Sequence, residues 1–375
     1  NFFVIENILH FFGSTVNRKF LITPSLFVLS MVEMIITEKP SSALKIAAAL
    51  AEGSPTKKAI NKVPYYEIKH KGKELIVVSA VGHLYTVAEK NKGSWTYPIF
   101  DVEWKVSADV NKASAFTRKY LNVIKGLAKK ADSFVVATDF DIEGEVIGYN
   151  IVRFACKKKD AKRMKFSTLT KEELLDSYEN ASPHIIWGQA EAGLTRHELD
   201  WLWGINISRA LTLSIKHSTG RHKILSSGRV QGPALHVLVE REKEIRAFKP
   251  VPYWQVELQA KNGLNAMHTK DKFWEKKEAD KVMSHVIGKK AIASDVIATK
   301  FEQEPPHPFD LTSLQMEAYR TLRLSPKDTL GIAQELYTAS YISYPRTSSN
   351  QLSDKLNLKK VISDISKQPE FKNLA

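Results

Sequence analysis

"SFVVATDFDIEGEVIGYNIVRFA", residues Ser133 to Ala155, sets three textures in a fixed order. An apolar run, Phe134 to Thr138, comes first, then an acidic turn with Asp139, Asp141 and Glu143, then a segment of helical period. A short apolar run bounded by a turn reads as a buried strand, and the spacing after it as a helix. The scheme also occurs about a hundred residues earlier. There "MIIT" is a strand, Glu38 stands just past it, and "SSALKIAAALAEG" is rich in strong helix formers and closed by Gly53. Strands alternating with helices predict a parallel sheet, and such sheets gather ligands beyond the carboxyl ends of their strands. Glu38 and the acidic turn are thus expected to meet in space.

Acids packed at alternate positions repel one another, so something must compensate them. A hard divalent cation with oxygen ligands does this, and Mg2+ held by a few carboxylates also suits phosphate chemistry. The plain alternative is a solvated loop whose acids face water, with Glu38 a strand-end carboxylate paired to Lys39.

The chain has 375 residues, more than one ordinary core, and its 43% hydrophobic content is that of a globular protein. Its formal charge of +14 and pI near 9.5 make a polyanion the expected large partner. A single cysteine, Cys156, excludes an intrachain disulfide and a zinc site built on cysteines, and fits a reducing, cytoplasmic setting. Residues 1–30 contain no run long enough to span a bilayer and no signal-peptide pattern. They read as a non-native upstream segment with the start at Met31 or Met34, the rival being a short extra strand or membrane-surface segment.

Residues 170–248 read as helical. "TKEELLDSYEN" pairs Thr170 with Glu173 in a capping-box pattern, "LTRHELDWLWGINISRALTLSIK" is long and amphipathic, and "VQGPALHVLVEREKEIRAF" spaces Glu242 and Arg246 for an ion pair. After "KPVPYW", "YWQVELQA" and "KKAIASDVIATKFE" alternate like strands, and "EQEPPHPFD" marks a hinge. Helices follow at "LTSLQMEAYRTL" and "SPKDTLGIAQELYTAS", the latter with Ser325 as N-cap and Pro326 at its first position.

"LYTASYISYPRTSSNQ" (Leu336 to Gln351) carries two tyrosines. Pro345 forbids the α region for Tyr344, which must leave the helix in extended backbone, with Arg346 on the same side. A guanidinium beside a phenol can hold a phosphate against an attacking oxygen. Tyr341 reads as still helical and packed. Without context a tyrosine is a packing residue with a polar tip.

Together these pieces resemble the type IA DNA topoisomerases, in the archaeal and topoisomerase III branches, over most of Met34 to Leu352. "IITEKPS" is similar to the family's opening strand and glutamate, "ATDFDIEGEVIG" to the Toprim acidic signature, and "SAVGHLY" to its Gly-His segment. "TRHELDWLWGINISRALT", "SSGRVQGPALHVLVEREKEIRAF" and "LYTASYISYPRTSS" resemble its later motifs, the last its active-site segment. The resemblance implies a multidomain α/β fold: a Rossmann-like Toprim domain at 31–169, a helical DNA-binding domain at 170–248, part of a β-rich gate at 249–308, and part of a helical domain with the tyrosine at 309–375.

It implies that Tyr344 attacks a DNA phosphate to give a 5'-phosphotyrosine, with Arg346 on that phosphate. Glu38 would exchange a proton with the 3' oxygen and help hold metal, with Lys39 beside it. Asp139, Asp141 and Glu143 would bind Mg2+. His83, Arg196, Asp200, Ser226, Ser227, Gly228, Arg229, Val230 and Gln231 would lie along single-stranded DNA, with Trp201 and Trp203 as stacking faces or, by their helical spacing, as packing residues.

The implied activity is ATP-independent relaxation of negatively supercoiled DNA by single-strand cleavage, strand passage and religation, in the cytoplasm at the nucleoid. Departures are Ser167 where many relatives carry asparagine, and Trp201 after Asp200. The family's ring also needs a returning half that does not occur up to Ala375, so the expectation is a fragment or a split subunit completed by a second polypeptide. The rival expectations are a single-stranded DNA binder that cannot cut, and a Toprim nuclease or primase that uses no tyrosine.

Overall fold

The strand Val32–Thr37 is apolar at four of its six positions, and Met34, Ile35 and Ile36 have no exposed surface, as a strand covered on both faces requires. The computed structural model describes residues 31–372 apart from 92, 94, 262, 353–355 and 357, so the expected upstream segment lies outside the described residues. In chain order the strands are β1 (Val32–Thr37), β2 (Thr56–Ile60), β3 (Val63–His70), β4 (Lys73–Ser79), β5 (Tyr85–Glu89), β6 (Val102–Val106), β7 (Ser133–Ala137), β8 (Lys162–Arg163), β9 (Glu257–Gln259) and β10 (Asn265–Met267).

Six of them form one sheet in the order β2-β3-β4-β1-β7-β8. β1 runs parallel to β4 and β7, and β7 parallel to β8, which gives the expected parallel centre. β2 and β3 are antiparallel additions that sequence reading did not foresee. Two-residue turns make them: Asn61 and Lys62, then Lys71 and Gly72, all at positive φ, the geometry that matches the twist of a hairpin. The fold is mixed α/β, with a parallel sheet and many helices.

Register decides where the acids go. Thr37 pairs with Ser79 on one side and Ala137 on the other, so three strands end level and Glu38 leaves the same edge as Asp139. Backbone bonds from Ala80 N to Thr37 O (2.9 Å) and from Val81 N to Glu38 O (2.8 Å) hold this edge. Val81 and Gly82 then bend the chain at φ 58° and 95°, and at the second value glycine alone escapes strain.

The chain divides into two compact units. One gathers the described residues up to Gly82 with Phe116–Asp139 and Ile147–Ile185; the other gathers His83–Ala115, Phe140–Val146 and the residues from Ile186 onward.

In the first unit the helix Pro40–Leu50 buries Ala43, Ile46, Ala47 and Leu50, and it packs against β3, β4 and the helix Lys171–Glu179. It stops at Leu50, with Gly53 in the turn beyond rather than at the cap. Glu33 is buried yet stitched into place, accepting from Tyr178 Oη (2.6 Å), Lys162 Nζ (2.8 Å) and Ser133 Oγ (3.0 Å). Burial pushes its acidity down in strength, but the bonds from Lys162 and Tyr178 outweigh this and hold the carboxyl below the usual glutamate range. The capping box expected at Thr170 does not form. Glu173 instead accepts from Ser167 N (2.6 Å) and Thr168 N (3.0 Å), because the preceding loop folds back over the helix start and presents two amides to one carboxylate.

In the second unit the helix Trp187–Thr219 is the main scaffold. Asn206 closes both backbone groups of Ile99, accepting from its N (2.7 Å) and donating to its O (2.8 Å). Ser208 bonds Ser227 and, one turn further on, Thr212 bonds Leu225, so hydroxyls at helical spacing hold an extended segment at alternate residues. Gly193 is required by close approach: a Cβ there would lie 2.3 Å from Val146 Cγ2 and 2.9 Å from Ile142 Cγ2. Alanine normally favours a helix by about 1 kcal/mol, so the sign is diagnostic. Gly193→Ala is expected to lower stability by about 1–3 kcal/mol through this clash, read as a fall in thermal midpoint; an unchanged or raised midpoint would show that the contact gives way freely.

Two strand expectations fail. "KKAIASDVIATKFE" (289–302) forms no strand, and in "YWQVELQA" only Glu257–Gln259 does, pairing with β10. A strand exists only where another segment takes its backbone groups. No ladder among the described residues includes 289–302, and Ile292, Val296, Ile297 and Phe301 are more than four-fifths exposed. The helix Gln231–Ala247 forms as expected, with Arg246 Nε 3.0 Å from Glu242 Oε1. After the hinge, Asp310 caps the helix Leu311–Leu322, and Ser325 caps Pro326–Thr338 by accepting from Asp328 N at 3.1 Å.

Candidate active site

The tyrosine segment leaves its helix earlier than Pro345 alone dictates. The helix Pro326–Thr338 ends in a full Schellman turn, with Ser340 left-handed at φ 69° and Tyr341 N bonded to Leu336 O at 2.9 Å. Tyr341 is therefore outside the helix and 79% exposed, not packed as expected. Tyr344 is the buried one, 8% exposed, set edge-on against Tyr337 with ring centroids 5.2 Å apart. Its hydroxyl donates to Asp141 Oδ2 in the same unit. Arg346 is exposed, and Thr347 O accepts from Leu311 N at 3.0 Å, which ties the segment to the next helix.

The acidic turn is arranged residue by residue. Asp141 caps the helix Ile142–Asn150, its Oδ1 accepting from Gly144 N at 2.7 Å, which leaves Oδ2 for the tyrosine. Asp139 is 3% exposed and accepts from Lys39 Nζ at 2.8 Å, and Lys39 stands 3.5 Å from Glu38 Oε1. Burial works against the Lys39 charge, but Glu38 and Asp139 outweigh it and raise its pKa, so it remains an ammonium. Beneath the turn lies Arg163, fully buried, donating to Thr138 O (2.9 Å), Asp139 O (2.9 Å) and Met164 O (2.7 Å). A set of carboxylates compensated by one ammonium is a donor set that fits a hard, oxygen-preferring cation.

Glu143 faces elsewhere. Its Oε2 accepts from His197 Nε2 (2.9 Å) and His83 Nε2 (3.0 Å), and its Oε1 lies 3.2 Å from Arg196 Nη1. The bonds from His197 and then His83 hold its carboxyl far below the usual glutamate range. From Arg196 the charges continue to Asp200 (3.7 Å) and on to Arg229, which grips Asp200 through Nε and Nη2. Thus His83, Arg196, Asp200 and Arg229, expected separately along DNA, form one network with Glu143. Ser226 and Val230 are exposed, Ser227 and Gly228 half-buried, and Gln231 opens its helix. Trp203 is 47% exposed, more than a packing role expects, and Trp201 is partly covered.

Comparison with known proteins bears directly on this constellation. A family model described as "DNA topoisomerase" matches residues 185–375, and one described as "Toprim domain" matches residues 33–169. The chain belongs to the DNA topoisomerase family. Its relatives include DNA topoisomerase 1 of Pyrococcus horikoshii, 48% identical over 91% of this chain and 50% of that protein. DNA topoisomerase 1 of Methanocaldococcus jannaschii is also 48% identical, over 91% of this chain and 44% of that protein. The structure of full-length topoisomerase I from Thermotoga maritima aligns with a TM-score of 0.56 at 25% identity, covering 88% of this chain and 52% of that one. The chain spans about half the length of the curated relatives it matches.

As a topoisomerase-family Toprim domain, the first matched region carries the divalent-metal chemistry its acids imply. Sequence reading missed two residues of this site. His197 was passed over between Arg196 and Asp200, although Gly193, Arg196, His197 and Asp200 share one helix face by their spacing. Arg163 gave no signal because it is one of several basic residues in "KKKDAKRMK" (157–165) and its partners are main-chain carbonyls, which no side-chain pattern announces. Among the described residues no helix is long and apolar enough to cross a membrane.

Proposed function

We propose that these residues form the cleavage centre of a DNA topoisomerase that relaxes negatively supercoiled DNA without ATP, by transient single-strand cleavage, passage and religation. The observation that carries the reading is the hydrogen bond from Tyr344 to Asp141: a phenol from the expected nucleophile segment rests on a carboxylate of the expected metal turn, 203 residues away in sequence. In this reading Tyr344 Oη attacks the phosphorus, and Asp141 Oδ2 is the base that takes its proton. As the P–Oη bond forms the P–O3' bond breaks, and Glu38, entering the step as the acid, gives its proton to the 3' oxygen and ends as a carboxylate beside the Lys39 ammonium. Arg346, exposed two residues from the nucleophile, contacts the phosphate. Bond count is conserved, so resealing needs no other energy source.

Mg2+ is the cation we assign to Asp139, with Glu38 and Asp141 as further ligands in their deprotonated states, and there it would offset phosphate charge. Glu143 joins that set only by leaving its histidines. Single-stranded DNA follows the basic network at Arg196 and Arg229 and the segment Ser226 to Gln231, with Trp203 as a stacking face. The subdivision at 169, 248 and 308 belongs to this reading. Strand passage needs a closed ring, supplied by further residues of the same polypeptide or by a second one.

Label polarity tests the assignment. In the full-length protein containing these residues, a single-stranded oligonucleotide labelled at its 3' end is expected to transfer label covalently to protein, and one labelled at its 5' end is not. DNA binding without any transfer would leave a binder that cannot cut and would overturn the reading. Metal-dependent cleavage with no protein-bound label would point to a Toprim nuclease and overturn it equally.

A further inference from the structure

We propose that His83, Glu143 and His197 form a binding site for a divalent cation that prefers imidazole nitrogen, of which Zn2+ is the representative. The site is separate from the oxygen-ligand set at Glu38, Asp139 and Asp141, and its case does not depend on the cleavage reading.

Two imidazoles and one carboxylate converge. His197 Nε2 and His83 Nε2 lie 2.9 and 3.0 Å from the same oxygen, Glu143 Oε2, and the ligand atoms of all three residues fall within 4.8 Å of one another. Tetrahedral zinc with bonds near 2.0–2.2 Å separates neighbouring ligands by about 3.4 Å, so the ion enters if each ring withdraws by about half an ångström. No hydrogen bond would be broken on the other side of the His83 ring: its buried Nδ1 has no hydrogen-bond partner among the described residues. The main chain behind it is fixed, with His83 O accepting from Ser107 Oγ at 3.0 Å, so the ring tilts while its anchor holds.

The charge balance favours a cation. Glu143 supplies a carboxylate, and imidazoles coordinate a metal as neutral rings, so the three ligands bring one negative charge to an incoming dication. Arg196 Nη1, 3.2 Å from Oε1, occupies the second carboxylate oxygen and leaves Oε2 as a one-atom ligand. Each of the three side chains is between 27% and 31% exposed, which gives an ion access and leaves the fourth coordination position to water. Mg2+ is a poor occupant because it demands oxygen ligands, whereas zinc, cobalt and nickel take imidazole readily. The two metal sites are thereby divided by ligand chemistry.

The test is a titration of the chelator-treated full chain with Zn2+ against a chromophoric competitor, in millimolar Mg2+, with Co2+ absorption as a second readout. One equivalent binding tighter than about 10 µM is expected, weakened at least ~10-fold in His197→Gln and in His83→Gln. Thermal melts of both variants establish that they fold. Should either fail to fold, the Co2+ spectrum of the parent chain decides: tetrahedral nitrogen and oxygen coordination supports the site, and an unchanged aqua-ion spectrum overturns it. Zn2+ binding weaker than ~10 µM, or binding that persists undiminished in folded His197→Gln, also overturns it.

Discussion

Tyr344→Phe in the full-length protein is expected to abolish covalent capture of DNA and to reduce relaxation by ~10^4-fold or more, because in the proposed reading this phenol is the nucleophile that forms the intermediate. The substitution removes one oxygen and keeps the ring, so the edge contact with Tyr337, at 5.2 Å between centroids, survives and the fold should hold. What goes with the oxygen is the hydrogen bond to Asp141. Tyr341→Phe is the control: that side chain is 79% exposed, and the substitution should leave capture at the parent level. Capture that persists in Tyr344→Phe and disappears in Tyr341→Phe would place the chemistry on the wrong side of the turn and sink the assignment. The measurement is label transfer from a 3'-labelled oligonucleotide, with a melting curve for each variant.

Arg163→Met is expected to cost about 3–5 kcal/mol, because each buried polar group left without its donor costs about 1–3 kcal/mol and three are affected at once. Three carbonyls, those of Thr138, Asp139 and Met164, lose their donors together, and methionine fills the volume but offers none. For a domain of this size that is a fall in thermal midpoint of roughly 10 °C. Arg163→Lys should recover only part of it, since an ammonium cannot reproduce a planar fork that meets carbonyls on both sides. A melting curve for Arg163→Met indistinguishable from the parent would refute the idea that this guanidinium holds the acidic turn.

The parallel centre of the sheet was legible because a strand buried on both faces leaves an unbroken apolar run, and "MIIT" and the run Phe134 to Thr138 have no other use. The hairpin of β2 and β3 was not, since Thr56–Ile60 is exposed at all five positions and lacks the apolar alternation that marks a strand. The stretch 289–302 shows the reverse error: its alternation is real, but alternation states only a preference for a partner. Tyr341 was misjudged by helical spacing. Its helix stops three residues sooner, at Thr338, where Ser340 takes a left-handed φ that no motif in the sequence announces.

By itself the sequence determined the parallel strands at the centre of the sheet with the helices that follow them, the presence of acids at two strand ends, and a tyrosine freed from its helix before a proline. Each of these is a local property, set by periodicity, by turn chemistry or by the steric demands of proline. Only the tertiary structure decided which acid serves which partner. Asp141 meets Tyr344, Asp139 meets Lys39, and Glu143, two positions further along the turn, meets His83 and His197. That division arises because successive residues of a turn entering a helix point in different directions, and what lies in each direction is supplied by chain distant in sequence.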